Sequence, residues 1–255
     1  MSTTSTATTS PNTYARIAAL LYLTIIAAGI AAQFFVRGSL IVPGDAAATA
    51  QAITASESLF RLGIAGDLVM IAADIALALV FYILFRPGSH ALSLLAAFFR
   101  LVQAAILGIN LLNLLQVLKL LGGADYLAVI GADQLAAQAL FYAEAHGMGY
   151  SLGLVFFGLN CLVFGYLVVK SRYVPRILGF LLIFAGAGYL TDCFVGFLLP
   201  EVYAAYADLF ALVVFLPAIV GELALCLWLL IKGVNVPQAP RPAADFNRQA
   251  ANAAA

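Results

Sequence analysis

A chain of 255 residues that is 64% hydrophobic and only 9% charged, with a mean hydropathy of +1.05, has far more apolar surface than one soluble core can hide, which excludes an ordinary cytosolic domain. Twelve Lys and Arg balance twelve Asp and Glu without a basic run, so no nucleic-acid partner is expected and the partner implied is the lipid bilayer. Cys161, Cys193 and Cys226 are odd in number and fall inside apolar runs, which leaves neither a disulfide framework nor a Cys/His metal spacing.

Residues 1–13, MSTTSTATTSPNT, are polar and carry no basic n-region, so the reading is a disordered segment before a retained first span, not a cleaved signal peptide. A hydrocarbon core of ~30 Å takes roughly 20 apolar residues as a helix, and six stretches qualify: 14–36, 59–85, 91–121, 150–169, 177–199 and 205–231. After the first, Pro43 and Gly44 make a turn and Asp45 caps a short Ala-rich surface helix. Pro87 and Gly88 break the second from the third. The helical pattern from 134 to 170 exceeds one crossing, and Gly147 with Gly149 is expected to part an amphipathic surface helix, N-capped by Asp133, from the fourth span. Gly149, Gly153, Gly158 and Gly165 suit close helix packing. Pro175 suits the start of the fifth span, Pro200 its end, and Pro217 a kink in the sixth. The tail 233–255 reads as disordered. The expected fold is an all-α bundle of six transmembrane helices occupying 14–232.

With six spans, eight Lys/Arg fall on the side of the termini, against Arg37, Arg61 and Lys119 on the other. By the positive-inside rule both termini are expected in the cytoplasm.

The runs FRLGIAGDLVMIAAD, AFFRLVQAAILGINLLNLL and FFGLNCLVFGYLVVKSRYVPRILGFLLIFAGAGYLTD resemble a bacterial family of multi-pass membrane proteins catalogued as a domain of unknown function, DUF4386. The resemblance extends from about Tyr14 to Lys232, and the PRILG loop followed by AGAGYLTD is its most specific piece. It implies an integral protein of the bacterial inner membrane and brings no activity, cofactor or catalytic residue with it.

Ionised groups inside a span cost about 2.5 to 3.5 kcal/mol each on insertion scales and face the bundle interior, paired. Asp74 lies 14 residues before Gly88 and Arg100 lies 12 after it, so in an antiparallel hairpin they reach similar depth and are expected to form a central buried ion pair. Counting from the span ends puts Asn160 and Glu222 at the same depth, and Asp67, Asn110, Asp192 and His146 in the outer third; Gln103 lies one turn from Arg100. Asp67, Asp192 and Glu222 have no cation at matching depth, and so much negative charge cannot all stay ionised, which marks them, together with Asn160, Gln103, Asn110 and His146, as candidate protonation or ligand sites.

Three sharper motifs fail. Gly149-Tyr150-Ser151-Leu152-Gly153 spells G-x-S-x-G, but a nucleophile elbow needs a preceding strand. Gly188-Tyr189-Leu190-Thr191-Asp192 lacks the glycine two before the aspartate that an intramembrane aspartyl protease shows. Haem would need histidines within the spans, whereas His90 sits in a loop and His146 at the outer edge; no cofactor or metal is expected. The leading reading is a membrane protein whose acid-rich polar core serves transport or small-ligand binding, a proton included. The alternatives are a structural protein whose buried charges fix helix register and, third, an intramembrane enzyme.

Overall fold

The protein is described here from a computed structural model, in which residues 10–236 are placed; the expectations for 1–9 and for 237–255 lie outside the described residues. Six helices are long and apolar enough to cross a membrane. Helix α1 is Pro11–Ile30, continued by a π-helical stretch, Ala31–Arg37, and a last turn, Gly38–Leu40. Then come α2, Glu57–Phe85, α3, His90–Leu121, α4, Ala132–Ser171, α5, Arg176–Leu198, and α6, Leu216–Ile231.

Local chemistry sets several boundaries. Pro11 opens α1, where its missing N–H costs nothing, and the Ser10 hydroxyl accepts from the Thr13 amide at 3.2 Å. Asp45 caps the short helix Ala46–Ala55 by accepting from the Ala48 amide at 2.9 Å. Helix α4 ends where Arg172 turns left-handed at φ 59°.

Each spanning helix packs against its neighbours in the chain, and α6 returns to pack on α1, so the six close into a ring. Two seams are legible in side chains. Along α3 and α4, Arg100 faces Asn160, Leu107 faces Gly153 and Asn110 faces Gly149, so each step down one helix is a step up the other. Along α4 and α5 the backbones themselves meet: a Cβ on Gly165 would stand 2.7 Å from the Gly179 carbonyl, and one on Gly179 2.6 Å from the Gly165 carbonyl. Gly158 and Gly186 repeat the contact one heptad on. Lipid supplies no hydrophobic drive between helices, so this close approach is the packing energy. Leu62 and Ile109, 67% and 70% exposed, mark the lipid-facing surface.

Several details depart from expectation. No surface helix precedes the fourth span: Ala132–Ser171 is one helix of 40 residues, about 60 Å long at 1.5 Å per residue and twice the hydrocarbon thickness. Gly147 and Gly149 do not break it, because α3 and Asn110 pack against that stretch and reward continuity. Its projecting half is braced by Ala46–Ala55, with Ile53, Ala139 and Ala143 in one buried cluster. Gly131 holds the N-cap position, and Asp133 sits in the first turn, where its charge still suits the helix dipole. The sixth span is not uniformly α-helical. Short helices Pro200–Ala205 and Ala207–Phe210 lead into a π-helical stretch, Ala211–Phe215, just before Pro217, whose ring removes a ladder donor. Of the flanks read as disordered, 10–13 form the first cap and turn, and 233–236 are docked: the Val234 amide donates to Asn12 Oδ1 at 3.0 Å and the Asn235 amide to the Tyr173 carbonyl at 2.9 Å.

Candidate functional site: a polar layer closed by all six helices

The deepest polar cluster takes one side chain or more from every spanning helix. Asp74 on α2 accepts from Arg100 Nε on α3 at 2.6 Å, and both are buried. Arg100 Nη1 points at Asn160 Oδ1 on α4 at 3.4 Å, while Asn160 Nδ2 donates to the Ala96 carbonyl of α3 at 2.7 Å. The guanidinium also lies over two rings, Tyr22 of α1 and Phe157 of α4, each 5.3 Å from its centroid. Beyond Tyr22 is Glu222 on α6. Its carboxyl accepts the Tyr22 hydroxyl at 3.1 Å and the Tyr189 hydroxyl, from α5, at 2.8 Å.

The layer therefore has two ends. At one, a carboxylate is held by a cation that is itself held by an amide locked to backbone. At the other, a carboxyl is held by two neutral hydroxyls. The expectation that Glu222 has no cation at its depth is corrected here: Arg100 is near enough to act on it electrostatically, with Tyr22 between and no direct bond. The cavity touching this layer, lined by Ser93, Arg100 and Asn160 among others, holds about 10 Å³, room for one water at most. Asp74 Oδ2, Arg100 Nη2 and Gln103 Oε1 are buried without a hydrogen-bond partner among the described residues.

A second layer sits toward the end of the bundle opposite the termini. Asp67 accepts from Arg37 Nη1 at 2.5 Å, and Gln33 Oε1 accepts from Arg37 Nε at 3.0 Å. This overturns the reading of Asp67 as a carboxylate with no cation at its depth. Arg37 ends the π-helical stretch of α1 and is buried in the bundle. Arg61 pairs instead with Glu57 at 2.6 Å, both well exposed. Asn110 Nδ2 donates to the His146 carbonyl at 2.8 Å and Asn110 Oδ1 accepts from Asn113 at 2.9 Å, so the α3–α4 seam is tied here as well. The His146 ring is buried, within electrostatic reach of Arg37 and 6.2 Å from the Tyr150 ring.

Asp192 stands apart on α5. It is buried, its partner is the Tyr203 hydroxyl, and its Oδ1 is unpaired among the described residues. Tyr203 lies outside the spans, and burial first, then the nearby Asp192 charge, pushes its hydroxyl up to about 12.

Sequence reasoning missed three members: Arg37, Tyr22 and Tyr189. The tyrosines could have been found by depth, since both lie near mid-span, away from the interfacial belt where such rings normally sit. Ser151, of the G-x-S-x-G string, is in mid-helix with its hydroxyl turned back to the Gly147 carbonyl at 3.3 Å, which is no nucleophile elbow. Among the described residues no group of three or more His, Cys, Asp or Glu is placed to hold a metal.

The profile of the family described as "Domain of unknown function (DUF4386)" matches residues 17–233. A protein of Archaeoglobus fulgidus, described as uncharacterized, is 31% identical over 170 residues, covering 67% of this chain and 83% of the relative. No solved structure matches. A six-span helical membrane protein matched by that profile over nearly all of its described length, the chain belongs to the DUF4386 family.

Proposed function

We propose that the central layer is the working part of this membrane protein, a site for transport or binding of a small ligand, in which Glu222 takes up and releases a proton. The observation that carries this reading is the pairing of Glu222 with two tyrosine hydroxyls. A hydroxyl donates to a carboxylate and accepts from a carboxylic acid with a mere rotation of its hydrogen, so both charge states of Glu222 are satisfied by the same geometry. Asp74 lacks that freedom, because its protonation would strand Arg100. The Asp74–Arg100–Asn160 corner is accordingly the frame and Glu222 the moving part. Asp67, Asp192, Gln103, Asn110 and His146 are further candidate protonation or ligand positions.

The space of about 10 Å³ beside Arg100 suits water and protons; a larger ligand needs the ring to open. Both π-helical stretches lie on the helices that supply Tyr22 and Glu222, on the side of those residues away from the termini, and such turns are frequent at functional sites. The distribution of cations supports both termini lying at the cytoplasmic face of a bacterial inner membrane.

The test is an infrared pH titration of the reconstituted protein, reading the C=O stretch of protonated carboxyls. A pH-dependent band that disappears in Glu222→Gln is expected. A titration unchanged in that variant would overturn the assignment.

A further inference from the structure

The loop between α4 and α5 and the end of α6 border an open surface depression of about 580 Å³, lined by Arg172, Tyr173, Arg176, Trp228, Lys232 and Asn235 among others. It opens at the end of the bundle where four chain segments meet. Gly88 of the α2–α3 turn abuts Ser171, and the residues after α6 are bonded to Tyr173 and Asn12. Arg172, Arg176 and Lys232 are exposed, and among the described residues none has an ion-pair partner. Every described Asp and Glu lies in a span or at the opposite end. Three cations thus converge on one concave site with no counter-charge supplied by the described chain.

We propose that this depression binds a phosphate-bearing anion presented by a lipid headgroup. The cations supply the charge recognition: arginine offers a fork that matches phosphate oxygens, and lysine a point charge. Position favours a lipid over a soluble ion. Trp228 borders the site near the end of α6, where amphipathic rings sit at headgroup level, and Ile177 and Ile231, next in sequence to Arg176 and Lys232, are 61% and 70% exposed, placed to meet acyl chains. Basic pockets between helix ends on the cation-rich side hold anionic headgroups in this way. This site is separate from the central layer and stands whether or not Glu222 exchanges a proton.

The experiment is thermal unfolding of the full chain in uncharged detergent, titrated with phosphatidylglycerol, with phosphatidylcholine or with inorganic phosphate. Phosphatidylglycerol should raise the melting temperature and phosphatidylcholine should not. In the triple variant Arg172→Gly, Arg176→Gln, Lys232→Gln, the concentration for half the shift should rise on the order of 100-fold, from about 1 kcal/mol per cation. Arg172 is left-handed, so glycine there also relieves backbone strain and keeps the lipid-free fold intact. Arg16→Gln with Arg86→Gln, a comparable loss of charge at the same end outside the depression, should leave the response in place. A shift by inorganic phosphate that the triple variant loses would keep the phosphate site and assign it to a soluble anion. An unchanged response in the triple variant, an equal loss in the Arg16 and Arg86 control, or an equal shift by phosphatidylcholine would each overturn the proposal.

Discussion

Asp74 and Glu222 lie in one layer, are buried alike, and differ in what holds them. Asp74 is bound by Arg100, whose fork is tied through Asn160 to the backbone of α3, whereas Glu222 is bound by Tyr22 and Tyr189. A buried cation makes the charge of its partner obligatory, since losing one partner leaves the other uncompensated in a low dielectric. A pair of hydroxyls makes no such demand. Burial alone therefore does not identify a working carboxylate; the charge of its partners does.

The largest break in this comparison should come at the cation. Asp74→Asn or Arg100→Gln alone is expected to destabilise the protein by about 3 to 5 kcal/mol, and the double change to recover most of that loss; unfolding in detergent followed as a double-mutant cycle measures both. A double variant as unstable as either single one would remove the frame role from this pair.

Next in size is the seam that holds the frame to α5. Gly165→Ala puts a methyl against the Gly179 carbonyl, and forcing the helices apart should cost about 2 to 3 kcal/mol. Tyr22→Phe removes one of the two hydroxyls on Glu222 and the loss should be about 1 to 2 kcal/mol. It should also shift the Glu222 infrared band, which a purely packing role for Tyr22 would not do. At the exposed pair, Glu57→Gln should change stability by no more than about 0.5 kcal/mol, because solvent screens it.

The smallest effect is at the edge of the molecule. The Tyr203 hydroxyl is raised from its ordinary value near 10 to about 12 by burial and by Asp192. A group raised in the folded state stabilises below its unfolded pKa, so this contact is intact up to about pH 10 and is lost between about 10 and about 12. Tyr203→Phe should remove that alkaline dependence from the melting curve.

Much of the frame was legible in the sequence, and the reason is the solvent. A bilayer demands spans of about 20 apolar residues and penalises any charge within them, so the six helices and the pairing of Asp74 with Arg100 follow from composition and counting. The ring closure of α6 on α1 carries no comparable local signal. Arg37 was hidden because a cation at the end of an apolar run normally stays at the interface, whereas here it is buried against Asp67. The 40-residue α4 was hidden because Gly147 and Gly149 resemble breaks until the packing of Asn110 against Gly149 is known. Tyr22 and Tyr189 were hidden because a tyrosine in a span declares nothing until its hydroxyl has an address.

The most direct test is the melting temperature of Glu222→Gln beside wild type and Arg100→Gln, in one detergent at neutral pH. Glutamine keeps the shape of the carboxyl and can still bond both tyrosines once one hydroxyl turns round, so a carboxyl kept for proton exchange should be replaceable without loss. A melting temperature at or above that of wild type is expected. A fall as deep as that of Arg100→Gln would make Glu222 a structural charge like Asp74 and contradict the division between frame and working group.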